Sequence, residues 1–216
     1  MDWPGFLAAL AGSYLIGSVP TGYLLVKWVV RMDVRAVGSG NVGATNVSRA
    51  AGGAVGLIVL ALDVGKGLLA VLGVAPWLAH PATSTAQLAC GLAAVIGHCA
   101  PIFLKFQGGK GVATTIGVIV GVTPSIAAVC LGVWGIVFAL CRYVSVASLV
   151  LAITIPVTQA LMRRAPAEIL LGAALALGIT VRHHANIARL RQGTEHRFGE
   201  ARRLPAAGGR DLMKGG

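Results

Sequence analysis

Charge is scarce in this chain. Only 12% of its 216 residues are Asp, Glu, Lys or Arg, while 56% are hydrophobic and the mean hydropathy is +0.81. A soluble domain carries about 25% charged residues. Half that charge leaves too little polar surface to cover a globule, and the long apolar runs exclude a soluble helical core. Acidic residues are rarest, seven against 18 basic ones. Cysteine is nearly silent. Cys90, Cys99, Cys130 and Cys141 lie in apolar segments with no C-x-x-C spacing, which excludes a disulfide framework or a zinc site. The first apolar run follows MDWPG, with no Lys or Arg before it. It is also longer than a signal-peptide core, so it is expected to stay as a membrane helix.

What is present is a series of apolar runs, at 5–30, 54–75, 85–104, 124–141, 144–162 and 166–182. Each is near the length of about 20 residues that a bilayer requires. The stretch 111–123 is apolar but short, and Pro124 disfavours helix at Thr123. A single helix over 111–141 would be about 46 Å long, too long for one span. Charge decides for two. With 111–123 as its own short span there are seven. Arg163 and Arg164 then face one side, Lys66 lies within a span, and every other Lys and Arg faces the opposite side. The positive-inside rule makes the crowded side cytoplasmic and puts the N-terminus outside. The fold expected is all-α and polytopic, with about seven transmembrane helices, some short, and Gly-rich cytoplasmic loops. A single membrane domain covers 1–198, and 199–216 reads as a basic, disordered cytoplasmic tail. The formal net charge of +11 anchors the chain on anionic lipid. The basic residues hug the membrane without aromatic interleaving, which argues against nucleic acid.

Three polar islands interrupt the apolar sequence, all on the basic side. The first is VGSGNVGATNVSRAAGG at 37–53. It contains G-x-G-x-x-G, but a membrane helix precedes it where a dinucleotide site needs a strand. Its glycines let backbone N–H groups converge on an anion, and Ser39, Asn41, Thr45 and Asn46 add donors. A helical turn would align Thr45, Asn46 and Arg49. The second is GHCAPIFLKFQGGKGVAT at 97–114. It is not a Walker A sequence, since Leu104 and Gly111 stand at required positions. Gly108, Gly109 and Gly111 still surround Lys110 just before a helix, an arrangement suited to phosphate. His98 reads either as a helix-end residue or as a site residue. The third is RHHANIARLRQGTEHRF at 182–198. There His183 and Asn186 share a helical face, with Arg189 beside Asn186 and Glu195 beyond Gly193. A phosphorylated ligand at the membrane surface suits all three, whether an enzyme's substrate or the solute of a transporter or channel.

These islands, with RYVSVAS at 142–148, resemble in order and spacing the bacterial integral-membrane acyl-phosphate:glycerol-3-phosphate acyltransferases. The resemblance covers roughly 5–198. It implies a seven-helix enzyme of the bacterial cytoplasmic (inner) membrane with its active site facing the cytoplasm. Such an enzyme moves a fatty acyl group from acyl phosphate to glycerol 3-phosphate, giving lysophosphatidic acid and phosphate in phospholipid synthesis. By the same resemblance His183, Asn186, Lys110 and Ser39 are catalytic. Arg49, Asn41, Gly40, Gly108, Gly109, Gly111, Ser148 and Glu195 serve the substrate phosphates. No metal or cofactor is expected, because acyl phosphate is already activated. The partners implied are glycerol 3-phosphate, fatty acyl phosphate and membrane lipid. The H-x-x-x-x-D signature of acyl-CoA-dependent glycerolipid acyltransferases is absent after every histidine, and no G-x-S-x-G elbow occurs.

The charge asymmetry carries a direct test. Single cysteines at Ser48 and Gln107, in a background cleared of native cysteines, should resist an impermeant thiol reagent added outside intact cells and react once the cells are opened. Labelling of either from outside overturns the topology.

Overall fold

The structure, a computed structural model, describes residues 2–199. The tail expected at 199–216 lies, apart from Gly199, outside the described residues. Among those residues the secondary structure is entirely helical. Helix α1 is Trp3–Ser18 and α2 is Thr21–Val30. The single run expected at 5–30 breaks between them because Pro20 lacks an N–H and pushes Val19 out of helical geometry. A 3-10 turn, Val34–Ala36, leads to α3, Ala44–Ala51. Helix α4, Gly53–Leu69, runs on through a π-turn, Ala70–Val74, into α5, Ala75–Leu78. Helix α6 is Ser84–Cys99, started by Thr83, whose Oγ1 accepts from the Ala86 N–H at 3.2 Å. After it come α7, Val112–Val122, and α8, Pro124–Cys141, separated at Thr123 as Pro124 requires. Then follow α9, Val144–Leu161, α10, Pro166–Arg182, and α11, His184–Arg191.

All seven expected spans are helical. Among the described residues five runs are long and apolar enough to cross a membrane: Trp3–Val30, Gly53–Leu78, Ser84–Leu104, Pro124–Cys141 and Val144–Leu161. Helix α10 has 17 residues, about 25 Å, and α7 has 11, about 16 Å. Helix α7 is therefore sheltered among neighbours instead of facing lipid alone. It packs on α4 so closely that a Cβ at Gly117 would meet the Val64 carbonyl, and one at Gly67 the Thr114 carbonyl. Between apolar helices in lipid, close approach of backbones is the main source of cohesion. On the other side of α7, Ile119 packs with Ile126 of α8 and Leu151 and Ile155 of α9, all fully or almost fully buried. A second cluster fixes the first polar island. Val34 and Val47 lie against Val26 of α2 and Val59 of α4, so the 31–53 segment is fastened to the membrane helices by four buried valines.

One buried charge cluster ties α2, α4 and α6 together. Lys66 Nζ stands 2.7 Å from Asp63 Oδ1, with side chains 7% and 2% exposed. Thr21, the first residue of α2, donates its hydroxyl to the same oxygen at 2.7 Å, and Lys66 Nζ lies 3.2 Å from Thr21 Oγ1. His98, at the end of α6, brings Nδ1 to 3.5 Å from Asp63 Oδ1. Asp63 and Lys66 stand three apart in sequence, a spacing that puts both on one face of α4. The α1–α2 break supplies the hydroxyl that the spacing could not show. Breaking such a pair leaves one uncompensated buried charge, at a cost of about 3–5 kcal/mol. Lys66→Met should therefore lower the melting temperature of the purified protein sharply. Asp63→Asn combined with Lys66→Met should recover much of the loss. If the double variant melts below Lys66→Met, the charges are not coupled in this way.

Candidate active site

The first island is shaped by one amide. Asn46, 2% exposed on α3, holds Nδ2 3.1, 3.0 and 2.9 Å from the carbonyls of Val34, Val37 and Asn41. Its Oδ1 accepts the Ser39 N–H at 3.0 Å. Asn46 thus gathers the loop and is not free for a ligand. Gly38 has φ +61°, and a Cβ there would collide with Asn46 Oδ1, so the turn requires glycine. Asn41 Oδ1 accepts from the Gly43 N–H at 2.8 Å, closing a tight turn just before α3. Nearby, Arg35 pairs with Asp33, Nη2 to Oδ2 at 2.7 Å, and its guanidinium lies 5.1 Å from the Tyr23 ring centre. The Arg35 hydrogen bonds hold the Asp33 carboxyl below its ordinary value.

The second island differs from expectation in how its glycines act. The Gly108 and Gly109 N–H groups are taken by the carbonyls of Cys99 and His98 at 3.2 and 3.0 Å. Their own carbonyls accept from Arg182, Gly108 from Nη2 at 2.7 Å and Gly109 from Nε at 3.0 Å. These two glycines offer no N–H to an anion. They instead let the chain press onto the end of α6, where a Cβ at Gly109 would strike the His98 ring. Gly111, with φ +83°, is buried and turns the chain into α7. This strapped turn delivers Lys110, whose Nζ donates to Asn186 Oδ1 at 2.6 Å.

The third island is organised by Glu195. Its Oε1 accepts from Ser145 Oγ at 2.8 Å and Asn186 Nδ2 at 2.6 Å, and its Oε2 accepts from Arg189 Nε at 2.7 Å. A carboxylate so engaged positions Asn186; it is not itself a contact for phosphate. Hydrogen bonds from Asn186, Ser145 and Arg189 hold its pKa below the ordinary value despite burial. Ser148 also departs from expectation. It is 3% exposed and its hydroxyl donates back to the Val144 carbonyl at 2.7 Å. The serine of that motif that reaches the polar cluster is Ser145.

These parts enclose a cleft of about 400 Å³. Of the residues singled out in sequence, Ser39, Gly40, Asn41, Gly108, Lys110 and Asn186 line it. Arg49 is exposed on α3, close enough for its charge to act on Lys110. His183, at the α10–α11 junction, is 2% exposed behind the wall. The cleft also takes Arg35, Arg182 and Arg189, which had been read only as membrane anchors or neighbours. Arg182 was open to detection, since it stands at the end of the last apolar run and begins the third island. No sequence rule pairs it with Gly108, 74 residues away.

Among the described residues no carboxylate lines the cleft, and the carboxylates beside it are already paired with arginines. Lys110 has an amide for a partner. Burial, with Arg189, Arg49 and Arg182 adding to it against Glu195, lowers its pKa to about 8. His183 is lowered to about 4 by burial and by the Lys110 charge, against the Ile179 carbonyl and Glu195. Its Nδ1 donates to that carbonyl at 2.8 Å, which leaves Nε2 unprotonated and able to accept. The arrangement can bind an anion and hold a hydroxyl beside it.

Residues 7–193 match the protein family described as glycerol-3-phosphate acyltransferase. The chain belongs to that family. A glycerol-3-phosphate acyltransferase of Gloeobacter violaceus is 42% identical over 206 residues, covering 93% of this chain and 98% of that protein. One from Myxococcus xanthus is 46% identical over 185 residues, covering 86% and 95%. The crystal structure of PlsY (YgiH), an integral membrane glycerol 3-phosphate acyltransferase, in its glycerol 3-phosphate form superposes with a TM-score of 0.84 at 39% identity. That comparison covers 90% of this chain and 96% of the other. The lysophosphatidic acid form gives 0.81 at 38% identity, covering 90% and 95%. This glycerol-3-phosphate acyltransferase family member is accordingly a multi-pass membrane protein with a phosphate-suited cleft at the ends of its helices.

Lys110 gives the cleft a pH dependence of definite sign. The cation exists below its pKa, so anion affinity is lost as pH rises through about 8. Binding of inorganic phosphate, a dianion over this range, should weaken by about tenfold per pH unit above that point, until the bound-state pKa is reached. Lys110→Arg should bind without that loss, because guanidinium stays charged. Equal pH dependence in both proteins would show that Lys110 does not hold the anion.

Proposed function

We propose that this chain transfers a fatty acyl group from acyl phosphate to the 1-hydroxyl of glycerol 3-phosphate at the cytoplasmic face of a bacterial inner membrane. The observation that carries the reading is Lys110 in a cleft that no carboxylate lines among the described residues, built from the three polar motifs. Both proposed substrates are phosphate anions, and Lys110 with Arg49 supplies cations that have no carboxylate partner among the described residues. The charge asymmetry of the loops supports the cytoplasmic orientation and the outside N-terminus. The cleft lies at helix ends, whereas transporters hold their solutes near the bilayer midplane, and this favours catalysis over transport.

In the mechanism proposed, Lys110 and Arg49 hold substrate phosphate, Ser39 and Asn41 contribute polar groups from the first loop, and Gly40 lets the backbone approach. Asn186, held by Glu195, orients the Lys110 ammonium. His183, 2% exposed and outside the lining, lies one layer behind these contacts, where its neutral imidazole adds no charge. The glycerol hydroxyl oxygen then attacks the acyl carbonyl carbon, the bond from that carbon to the phosphate oxygen breaks, and inorganic phosphate leaves. With His183 lowered to about 4, the imidazole is a poor resting place for the proton near neutral pH. A phosphate monoester dianion, with a second pKa of about 6, is the better acceptor, so the proton leaves on phosphate. Positioning and charge stabilisation then supply the rate, with no covalent enzyme intermediate.

The decisive experiment gives the purified protein radiolabelled glycerol 3-phosphate with either long-chain acyl phosphate or acyl-CoA. Labelled lysophosphatidic acid should form with acyl phosphate alone, and Lys110→Ala should abolish it while melting normally. Comparable turnover with acyl-CoA overturns the donor assignment. Product formation with neither donor overturns the enzymatic reading and leaves transport.

A further inference from the structure

The turn between α6 and the Gly-rich loop is unusual. Lys105 and Phe106 are consecutive and both left-handed, with φ of +51° and +63°. For a bulky non-glycine residue this is an outlier, and such outliers gather at functional sites. The turn is closed by the Phe106 N–H donating to the Pro101 carbonyl at 2.9 Å and the Gln107 N–H to the Leu104 carbonyl at 3.1 Å. It leaves Ile102 51% exposed and Phe103 and Phe106 each 60% exposed at the end of the span Ser84–Leu104. Phe106 also lines the cleft, where the remaining lining residues are polar, charged, glycine or Ala185. Anchoring the span at the interface would need only Ile102 and Phe103. It does not account for a phenylalanine at the cleft wall in a conformation that favours glycine.

We infer that Phe106 is the acyl-chain contact of the cleft, and that Phe103 and Ile102 continue the apolar path from it to the bilayer. The inference rests on the acyltransferase reading above. The chain concerned is that of a fatty acyl phosphate donor or of the lysophosphatidic acid product, each a phosphate joined to a long hydrocarbon. The phosphate end suits Lys110. The hydrocarbon end has to leave a polar cleft, and an exposed aromatic ring at the wall, continuous with a lipid-facing span end, gives it an apolar surface. A chain-bearing ligand would thus be told from glycerol 3-phosphate by Phe106 and not by the phosphate-binding groups.

The test titrates purified full-length protein with glycerol 3-phosphate and, separately, with 1-oleoyl lysophosphatidic acid, reading an apparent Kd from the ligand-induced rise in Tm. Phe106→Ala should weaken lysophosphatidic acid about tenfold, the scale of losing part of a buried phenyl ring, and should leave glycerol 3-phosphate within about twofold. Phe106→Leu, still apolar, should keep most of the affinity. Phe106→Gly relieves the left-handed turn yet removes the ring, so it should behave like Phe106→Ala. Equal weakening of both ligands, or restoration by glycine, would show that Phe106 acts only through the loop backbone. If Phe106→Ala binds lysophosphatidic acid as wild type does, the inference fails while the acyltransferase reading stands. If wild type binds neither ligand, that reading itself fails and takes this one with it.

Discussion

Lys110 is kept charged beside a neutral partner. An ammonium paired with a carboxylate would be better stabilised in a half-buried cleft, but a substrate phosphate would then have to displace that carboxylate. Here the Asn186 amide oxygen satisfies Nζ at 2.6 Å without cancelling its charge. The consequences spread through the site. Asn186 has to be held so that its oxygen faces Lys110, and Glu195 does this by taking the other end of the amide. Glu195 in turn has its charge balanced by Arg189 and accepts a further hydrogen bond from Ser145. One carboxylate therefore organises α9, α11 and the segment beyond Gly193 while lying outside the cleft lining.

The glycines work for the same end by a less obvious route. Gly-rich loops beside a lysine suggest N–H groups directed at phosphate. In this fold the Gly108 and Gly109 N–H groups close onto the end of α6, and their carbonyls are clamped by Arg182. What the glycines provide is absence of bulk against His98, so that Lys110 can start from a rigid turn. The His98 ring in turn touches the buried Asp63–Lys66–Thr21 cluster, so the loop rests on an ion pair inside the helices. Stability of the membrane core and placement of Lys110 are linked through that histidine.

Much of this was legible in the chain. Apolar length gave the helices, because a bilayer admits few alternatives for a hydrophobic run of given length. Pro124 marked the α7–α8 break, and a spacing of three marked the Asp63–Lys66 pair. The three polar islands identified the site, since so many Gly, Asn, Ser and Arg residues amid apolar sequence need a purpose. Less legible was which polar residue scaffolds and which faces the ligand. Asn46 and Asn41 look alike in sequence, yet Asn46 is spent on four backbone groups and Asn41 lines the cleft. Ser145 and Ser148 sit one helical turn apart, and only Ser145 reaches Glu195.

Composition and periodicity by themselves determined that this is a helical membrane protein, because partitioning into lipid depends on summed local properties. The tertiary structure alone decided that Arg182 clamps Gly108, that Glu195 orients Asn186, and that Phe106 lines a cationic cleft. Each of these is a contact between segments distant in sequence or a matter of which way one side chain faces. Hydrogen bonds act over about 3 Å, so neither kind of fact leaves a trace in sequence spacing until helix packing brings the partners together.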